Sequence, residues 1–482
     1  MYPYFEKGVH PLRVALVNAN RISPPIAPIG LEYVAEVLYA SGHTVDILDL
    51  CWEEQPETAI AGFFGRREFG LVGISIRNTD DCSLSSRESF LPGHASLADC
   101  IRRHSGAPIV LGGVGFSVMP EAVLTRCGVD IGIRGDGDFI LPRLAGRLEE
   151  GREWDDLPNL VALRKGKWQR NPASFPSLDA LPPMTRRWID NGRYFREGGQ
   201  AGIETKRGCP HRCVYCADPI AKGKTARLRP PGAVADELER LLSQGIDHIH
   251  TCDSEFNSPE SHANDVCDEI IRRGLGENLR WYAYCTPGAF SPDLAGKMRR
   301  AGCQGINFGV DSGDEGMLRR LGRNFGPADI LDTARACRQA GITVMFDLLL
   351  GSPGESRESV VRTIELVRQA KPDRAGIAVG VRLYPGTEIA RIVSEGGREN
   401  GRIGGEDLSE PVFFLEPDVA PFLFDLLDEL TRNDSRFLFF DPSRPASNYN
   451  YNANKVLADA IGNGFRGAYW DILRRCGGTN TE

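Results

Sequence analysis

The run Thr205-Lys-Arg-Gly-Cys-Pro-His-Arg-Cys-Val-Tyr-Cys216 carries three cysteines, Cys209, Cys213 and Cys216, at the spacing Cys-x3-Cys-x2-Cys. This spacing places three thiolates on one short loop, close enough to bind three irons of a cubane cluster and leave the fourth iron open. A structural zinc site would close four positions, usually with paired Cys-x2-Cys units, and no second pair lies nearby. The remaining alternative is three unlinked thiols.

The same run resembles the cluster loop of the radical S-adenosyl-L-methionine (SAM) superfamily, including the aromatic Tyr215 just before the third cysteine. The resemblance implies that Cys209, Cys213 and Cys216 ligate a 4Fe–4S cluster and that SAM chelates its open iron, with Tyr215 beside the cofactors. One electron from the cluster would then split SAM into methionine and a 5′-deoxyadenosyl radical that abstracts hydrogen. The cofactors supply the difficult chemistry, and the protein supplies ligation, positioning and shielding from water.

Length and composition limit the class of protein. At 482 residues, with 41% hydrophobic and 25% charged residues, the chain predicts a globular protein of two or three domains. We find no apolar run long enough to span a bilayer and no signal peptide, so we expect a cytoplasmic protein without a membrane partner. Its 13 cysteines are then mostly free thiols. A net charge of −8, without a basic run interleaved with aromatics, argues against a nucleic-acid partner.

Residues 1–150 alternate between short apolar runs and helical patterns, which predicts a doubly wound parallel sheet. The predicted strands are Arg13–Asn18, Thr44–Asp49, Leu71–Ile76, Pro108–Gly112 and Val129–Ile133. The predicted helices are Pro28–Gly42, Ser96–His104 and Pro120–Arg126. Such sheets bind ligands outside the carboxyl ends of their strands.

Glycine-rich turns follow the fourth and fifth of these strands, as Gly112-Gly-Val-Gly-Phe116 and Arg134-Gly-Asp-Gly-Asp138. Glycine allows a backbone to approach a ligand closely, although such turns are also simple tight connections. Together with the cysteine loop they resemble the cobalamin-binding subfamily of radical SAM enzymes, which carries Gly-Glu-Gly-Glu at the second turn where this chain has Gly-Asp-Gly-Asp. The resemblance makes one group of residues candidates for contact with the cobalamin tail: Gly112, Gly113, Gly115, Phe116 and Gly135.

The Asp-x-His-x2-Gly motif by which some cobalamin enzymes ligate cobalt is missing from residues 1–150. We therefore expect no histidine on the lower face of the corrin. The loop after the third strand would lie beneath the corrin, with Arg77 or Asn78 near the cobalt, where a cation would favour loss of a methyl group. A solvent-facing loop is the alternative for both residues.

Residues 151–199 read as a linker that contains a hairpin at Val161–Trp168 and an extended segment at Leu181–Met184. Strand–helix alternation resumes at Ile203, and a six-unit partial βα barrel, as in radical SAM proteins, fits residues 200–392. The predicted strands after Ile203 are Ile246–Thr251, Arg280–Cys285, Gly305–Val310, Thr343–Leu350 and Ala375–Arg382. The predicted helices are Ala233–Gln244, Glu260–Arg273, Pro292–Arg300, Ala328–Gln339 and Arg357–Gln369.

Family-like motifs occur where these strands end. Glu255 in Asp253-Ser-Glu255 is the candidate for the SAM amino group, and Ser312 in Gly309-Val-Asp-Ser-Gly313 for the SAM carboxylate or ribose. Asp311 stands where the family has Glu. Gly351-Ser-Pro-Gly-Glu355 resembles the turn that lies near the adenine of SAM in the radical SAM family. Arg382-Leu-Tyr-Pro-Gly-Thr387 resembles the run that follows the last barrel strand in that family. Any single motif is compatible with an ordinary turn, but all four follow the cysteine loop in family order.

The other barrel cysteines lack ligand spacing, and we expect buried thiols at Cys252, Cys285, Cys303, Cys337 and Cys476. Cys252 is the best placed of them for a catalytic relay. Residues 393–482 form a small C-terminal domain rich in aromatics, which either line a substrate cavity or are buried against the open edge of the barrel.

These features favour a cobalamin-dependent radical SAM C-methyltransferase that acts on an unactivated carbon of a small molecule. The cofactors would be a 4Fe–4S cluster, SAM and methylcobalamin, with an electron donor such as flavodoxin or ferredoxin. One alternative keeps both cofactors but performs cyclisation, ring contraction or rearrangement. An alternative of another class is a non-catalytic iron–sulfur or corrinoid sensor, although the sequence shows no DNA-binding pattern.

Overall fold

The computed structural model describes residues 11–405, 410–439 and 451–476. They divide into two compact units. The first unit contains the described residues through Asp81 together with Ser89–Asn191 and Asp218–Gly223. The second contains Cys82–Glu88, Gly192–Ala217 and the described residues from Lys224 onward. None of the helices in these described ranges is long and apolar enough to cross a bilayer.

Strands and helices alternate along most of the chain. The strands, in chain order, are β1 (Arg13–Asn18), β2 (Thr44–Asp49), β3 (Leu71–Ser75), β4 (Ile109–Gly112), β5 (Ile131–Ile133), β6 (Leu160–Arg164), β7 (Lys167–Arg170), β8 (Ala201–Ile203), β9 (Lys206–Arg207), β10 (Arg227–Leu228), β11 (His248–Thr251), β12 (Arg280–Cys285), β13 (Cys303–Asp311), β14 (Thr343–Leu350), β15 (Arg374–Val379), β16 (Val381–Arg382), β17 (Arg402–Ile403), β18 (Phe413–Phe414) and β19 (Phe437–Phe439). The helices are α1 (Ile29–Ala40), α2 (Pro56–Phe64), α3 (Leu91–His104), α4 (Val114–Val118), α5 (Pro120–Cys127), α6 (Gly137–Glu149), α7 (Asn191–Gly198), α8 (Asp218–Lys222), α9 (Pro231–Ser243), α10 (Glu260–Arg272), α11 (Pro292–Arg300), α12 (Glu315–Arg320), α13 (Pro327–Ala340), α14 (Arg357–Ala370), α15 (Glu388–Glu395), α16 (Leu423–Thr431), α17 (Lys455–Gly462) and α18 (Tyr469–Cys476).

The first unit is built on a seven-stranded sheet with the order β2-β1-β3-β4-β5-β6-β7. Strands β1 to β5 are parallel, as the predicted doubly wound sheet requires. Their apolar side chains, such as Val14, Leu16 and Val110, share one core with residues of α1 and α6. The strand order reverses between β1 and β3, which is the place where open α/β sheets leave a crevice for a ligand.

The hairpin predicted at Val161–Trp168 forms as β6 and β7. It pairs antiparallel with β5 through Ile131 and Ala162 and so extends the first sheet, although its residues fall within the predicted linker. Strands β6 and β7 can pair locally, because antiparallel neighbours need only a tight turn between them. The domain boundaries at residues 150, 199 and 392 stay predictions.

The second unit contains a parallel sheet with the order β19-β15-β14-β13-β12-β11-β8. Six of these strands are the predicted units of the partial barrel. The seventh, β19, pairs with β15 through Ala375 and Phe437, although it lies within residues 393–482, which the sequence assigned to a separate C-terminal domain.

The last predicted barrel strand is broken near its end. Gly380 has a φ of +78°, and β15 therefore stops at Val379. Val381 and Arg382, which form β16, pair instead with β18 in a small three-stranded sheet that also contains β17.

Alternation along β13 separates two faces of the second sheet. Ile306, Phe308 and Val310 belong to the core that the sheet shares with its helices. Gly305, Asn307, Gly309 and Asp311 have the opposite parity and therefore lie on the other face, the interior of the partial barrel. This interior face carries most of the polar side chains described below.

The C-terminal helix α18 packs against the start of the central strands. Trp470 is 2% exposed, and a Cβ atom on Gly305 would lie 3.0 Å from its ring. The Tyr282 hydroxyl donates to the Asp471 carboxylate at 2.9 Å. Trp470 and Tyr282 are therefore buried against each other at the start of the central barrel strands. Both sequence-based alternatives for the aromatics of residues 393–482 stay predictions.

Candidate cofactor and active site

The cysteine loop lies between β9 and α8, and neighbouring turns hold its backbone. The amide of Val214 donates to the Leu321 carbonyl at 3.0 Å, and the Val214 carbonyl accepts from the Ile389 amide at 2.8 Å. Gly322 permits this approach, because a Cβ atom there would lie 2.4 Å from the Arg212 carbonyl oxygen. The backbone that carries the thiols is thus fixed by contacts from two later segments of the chain.

The three thiols differ in burial: Cys209 is buried, whereas Cys213 and Cys216 are half-buried. Burial raises the pKa of Cys213, and the nearby Arg323 opposes that increase. Within the described part of the chain, no three His, Cys, Asp or Glu side chains converge to hold a single metal ion. A cubane places each cysteine on a different iron, so its ligands need not converge on one point. The donor set of three thiols on a short loop fits such a cluster.

Arg323 is the centre of a buried charged group beside the loop. Its Nη1 lies 2.8 Å from the Cys213 sulfur, its Nη2 donates to the Gly309 carbonyl, and its Nε lies 3.2 Å from Asp311 Oδ2. The side chain is 5% exposed. Burial alone would lower the pKa of Arg323, but Asp311 and the other anionic or ionisable neighbours raise it above its ordinary value. The guanidinium therefore stays charged next to a thiol that the sequence assigns to the cluster.

Three predicted site residues gather around Arg323. Tyr215 donates its hydroxyl to Asp311 Oδ2 at 2.7 Å, and Glu255 Oε1 lies 4.0 Å from Arg323 Nη2. The structure thus brings Tyr215, Glu255, Asp311 and Cys213 together. Sequence reasoning missed Arg323, since only its place after the Leu321-Gly322 turn links it to the cysteine loop.

The other predicted SAM contacts have partners within the protein. Ser312 Oγ lies 3.1 Å from Thr363 Oγ1 and accepts from the Asp314 amide. Arg382 Nη1 donates to the Leu383 carbonyl at 2.6 Å. Gly351 adopts a φ of +88°. Contact of Ser312, Gly351 and Arg382 with SAM stays a prediction.

An aromatic and polar wall lines the interior face below this group. Tyr284 on β12 is 41% exposed although its strand is central in the sheet, so open space adjoins it. Its ring lies 4.9 Å from the ring of His250, and burial lowers the pKa of this histidine. Tyr284 is the register partner of Asn307, whose Nδ2 donates to Asp347 Oδ2 at 3.3 Å. The alternation of side chains along the predicted strands could have indicated that Tyr284, His250 and Asn307 lie on the interior face.

The five cysteines that the sequence predicts as buried thiols divide into two groups. Cys285, Cys303 and Cys337 are buried, as predicted, and burial raises the pKa of each. Cys252 and Cys476 are half-buried instead, because each lies at the end of its strand or helix. A relay role of Cys252 stays a prediction.

In the first unit, the predicted glycine turn after β4 packs against the loop after β3. Gly113 has a φ of +100°, and a Cβ atom there would lie 2.6 Å from the Ile76 carbonyl oxygen. The Gly115 amide donates to the carbonyls of Ile76 and Arg77 at 3.0 Å. These glycines allow one loop to approach the other, and both loops follow the carboxyl ends of adjacent parallel strands.

The other predicted residues of this edge contact neighbouring residues of the same unit. The Gly135 amide donates to Ser117 Oγ at 2.9 Å, which links the turns after β4 and β5. The Phe116 ring fills the space beside Gly132, whereas a Cβ atom on Gly112 would meet its nearest neighbour at an ordinary 3.7 Å.

The loop after β3 is held by a histidine. Arg77 is exposed and donates to the Asn78 side chain at 3.0 Å, and His94 Nε2 lies 3.1 Å from the Asn78 carbonyl oxygen. Burial lowers the pKa of His94, which keeps this imidazole neutral. Proximity of Arg77 and Asn78 to cobalt stays a prediction.

Two buried donors at this edge fit a polar ligand. Asn20 Nδ2, in the loop after β1, and Arg134 Nε, after β5, have no hydrogen-bond partner within the described part of the chain. Buried polar groups are normally paired, so such donors indicate a missing ligand or water. Cobalamin carries amides, hydroxyls and a phosphate that accept hydrogen bonds, and the residues at this edge therefore fit it.

Two family models match the chain. The Radical SAM superfamily model matches residues 203–367, and the B12 binding domain model matches residues 16–145. The tryptophan 2-C-methyltransferase of Streptomyces laurentii is 33% identical over 446 residues, which cover 79% of this chain and 74% of that enzyme. The chain therefore belongs to the cobalamin-dependent radical SAM methyltransferases. It is a C-methyltransferase of small molecules that uses a 4Fe–4S cluster, SAM and cobalamin.

Solved structures agree with this assignment. The radical SAM methyltransferase TsrM of Kitasatospora setae, solved with tryptophan and a SAM analogue, aligns with a TM-score of 0.87 at 29% identity over 96% of this chain and 97% of TsrM. The cobalamin-dependent SAM radical enzyme OxsB shares the fold, with a TM-score of 0.72 at 17% identity over 84% of this chain and 64% of OxsB.

Proposed function

We propose that the small molecule methylated by this enzyme is an indole amino acid, with tryptophan as the first candidate. The observation that carries the proposal is the open aromatic wall formed by Tyr284 and His250 on the barrel interior. Flat aromatic rings stack on such side chains with a gain beyond simple burial of area. The tryptophan-bound TsrM structure and the tryptophan 2-C-methyltransferase relative support the same substrate class.

The residues of this chain would hold and shield the reactants. Cys209, Cys213 and Cys216 would ligate the cluster, and Arg323 would keep a positive charge beside it. Tyr284 and His250 would orient the flat substrate, which keeps the target carbon in one position. When bound, the cluster with SAM supplies one-electron chemistry, and cobalamin carries the methyl group.

We further propose a cytoplasmic location and an electron donor of the flavodoxin or ferredoxin type. Free cysteines persist in a reducing compartment, and the chain shows no disulfide among its described cysteines. A low-potential one-electron donor would supply the cluster.

The substrate proposal is tested with anaerobic, fully reconstituted enzyme supplied with SAM, a reductant and tryptophan. We expect a methylated tryptophan by mass spectrometry, with carbon as the methylated atom by NMR. Replacing Tyr284 with leucine should raise the KM for tryptophan roughly threefold to tenfold, because one aromatic contact is lost. Tyr39, which is 53% exposed on α1, provides the matched control Tyr39→Leu, which should leave KM unchanged. Unmethylated tryptophan under conditions where the enzyme methylates another substrate class would overturn the proposal.

A further inference from the structure

Asn307 is a buried side chain with one unused hydrogen-bonding atom. It is 1% exposed, at the centre of β13 on the interior face of the barrel. Its Nδ2 donates to Asp347 Oδ2 at 3.3 Å, whereas its Oδ1 has no hydrogen-bond partner within the described part of the chain. Leaving a buried carbonyl oxygen without a donor is unfavourable, because the oxygen has lost its hydrogen bond to water, and such oxygens are rare in folded proteins.

The neighbour on β14 fixes which end of the amide is unused. A carboxylate accepts hydrogen bonds and does not donate them, so the NH2 end of Asn307 must face Asp347. The carbonyl end then points away from Asp347 as an acceptor only. The group that completes it must bring a donor.

The side chains around Asn307 limit the directions from which that donor can approach. On the same face of β13, the position of Gly305 is filled by the Trp470 ring, and the position of Gly309 adjoins Arg323 Nη2 at 3.1 Å. Asn307 lies between these two filled layers, roughly 7 Å from each along the strand. Beside it, Tyr284 faces open space. The unused oxygen is therefore buried beside the Tyr284 wall that the substrate is proposed to contact.

We propose that Asn307 Oδ1 accepts a hydrogen bond from an N–H group of the substrate, and that Asp347 positions this amide. The assignment rests on the proposed function, because it concerns the same interior site. It limits the substrate class to planar molecules that carry an N–H donor, either on the ring or as an ammonium group. Asn307 is then a binding residue that selects the substrate, and Asp347 acts through it.

Three ligands distinguish the two sources of the donor. Dissociation constants would be measured calorimetrically on the anaerobic holoenzyme for tryptophan, for indole-3-propionate, which lacks the ammonium group, and for benzothienylalanine, which lacks the ring N–H. We expect wild type to bind one of the two analogues roughly tenfold to a hundredfold more weakly than tryptophan. The analogue that binds more weakly identifies the donor, because it lacks the N–H group that Asn307 would accept from.

The variant Asn307→Leu should bind tryptophan and that analogue equally, since the acceptor is gone. Asp347→Leu should reduce the ratio of the analogue's dissociation constant to that of tryptophan, because the Asn307 amide is no longer oriented. Asn307→Ser serves as a smaller change, and iron and cobalamin contents would confirm that each variant is folded and loaded. The assignment would be overturned, while the proposed substrate stands, by either of two results. In the first, both Asn307 variants keep the wild-type ratio of dissociation constants between the analogue and tryptophan. In the second, both variants lose affinity equally for all three ligands. A wild type that binds none of the three would overturn the proposed substrate and this assignment together.

Discussion

At the scale of single residues, the charge beside the cysteine loop is the most consequential feature of the site. Arg323 is 5% exposed and contacts the Cys213 sulfur, Asp311 and the Gly309 carbonyl at once. Burying a charge is unfavourable unless it is paired and hydrogen-bonded; here the ion pair with Asp311 and the hydrogen bonds from Nη1 and Nη2 offset that cost. Because Arg323 lies next to a predicted cluster ligand, its positive charge should affect the reduction potential of the cluster.

Replacing Arg323 with glutamine should make the reduction potential of the cluster more negative by roughly 60–120 mV. A hydrogen bond to a charged group contributes about 1.5–3 kcal/mol, and about 1.4 kcal/mol corresponds to 59 mV for one electron. A redox titration followed by electron paramagnetic resonance would measure the shift. Arg323→Lys keeps the charge and should show a smaller change.

The matched control for that titration is Arg335→Gln. Arg335 is 63% exposed and pairs with Asp332 on the surface. Its replacement should leave the potential unchanged. Equal potentials for wild type and Arg323→Gln would contradict the role assigned to the buried guanidinium.

Three motif residues named from the sequence, Tyr215, Glu255 and Asp311, lie together around Arg323. Their contact with SAM or the cluster stays a prediction. Arg323 belongs to no motif, and only the turn at Gly322 returns it to the loop, so its role depends on the tertiary fold. Asn307 was within reach of sequence reasoning, because alternation along its strand places it opposite Phe308.

At the scale of elements, the turn between β14 and α14 holds a buried carboxyl group. Glu355 is 3% exposed, and its Oε2 accepts from the Gly351 amide at 3.1 Å. Burial raises the pKa of Glu355 to about 7, against an ordinary value of 4.5, and the hydrogen bonds from Ser359 and Gly351 oppose that increase. The folded protein therefore keeps this carboxyl protonated at pH values where the unfolded chain ionises it.

Stability should consequently fall as pH rises from about 4.5 to about 7, because the unfolded state loses its proton first. Below this window both states are protonated, and above it both are ionised. Compared with Glu355→Gln, wild type should lose on the order of 3 kcal/mol of unfolding free energy across the window. Urea denaturation of both proteins at several pH values measures the difference. A constant difference between wild type and variant would contradict the assigned pKa.

The contact of α18 with the barrel strands makes a second prediction about an element. Trp470 is 2% exposed and packs on Gly305, so Trp470→Ala should lower the free energy of unfolding by about 3–5 kcal/mol. Trp168, on the edge strand β7, is 39% exposed, and Trp168→Ala should change stability by no more than about 0.5 kcal/mol. Equal urea midpoints for the two variants would contradict the packing role of α18.

Elements with strong periodic patterns were predictable, and those that depend on distant pairing were not. The bounds of β1 and β2 match the sequence-based prediction, since each is an apolar run between turn residues. Strand β19 was missed, because three aromatic or aliphatic residues in an aromatic-rich segment do not reveal a partner strand about 60 residues earlier. The break at Gly380 was missed because the motif that follows it reads as a continuation of the strand.

At the scale of the whole molecule, two units carry two sets of cofactor-binding features. The first has the strand order and linked glycine turns of a cobalamin-binding sheet, and the second has the cysteine loop at the start of a partial barrel. Each family model falls within the part of the chain that supplies the corresponding features. The sequence predicted this organisation because each part of the chain carries its own short motifs, the glycine turns in the first and the cysteine loop in the second. The substrate was not predictable, since the interior face that would recognise it is assembled from several separate strands.

The most direct test of the account follows the methyl group of SAM labelled with deuterium. Holoenzyme, enzyme without cobalamin, and the variant with Cys209, Cys213 and Cys216 all replaced by alanine would each receive labelled SAM, a reductant and tryptophan. We expect the intact labelled methyl group to reach a carbon of the product only with the holoenzyme. Labelled product from either deficient protein at the holoenzyme rate, or label on nitrogen or oxygen, would contradict it.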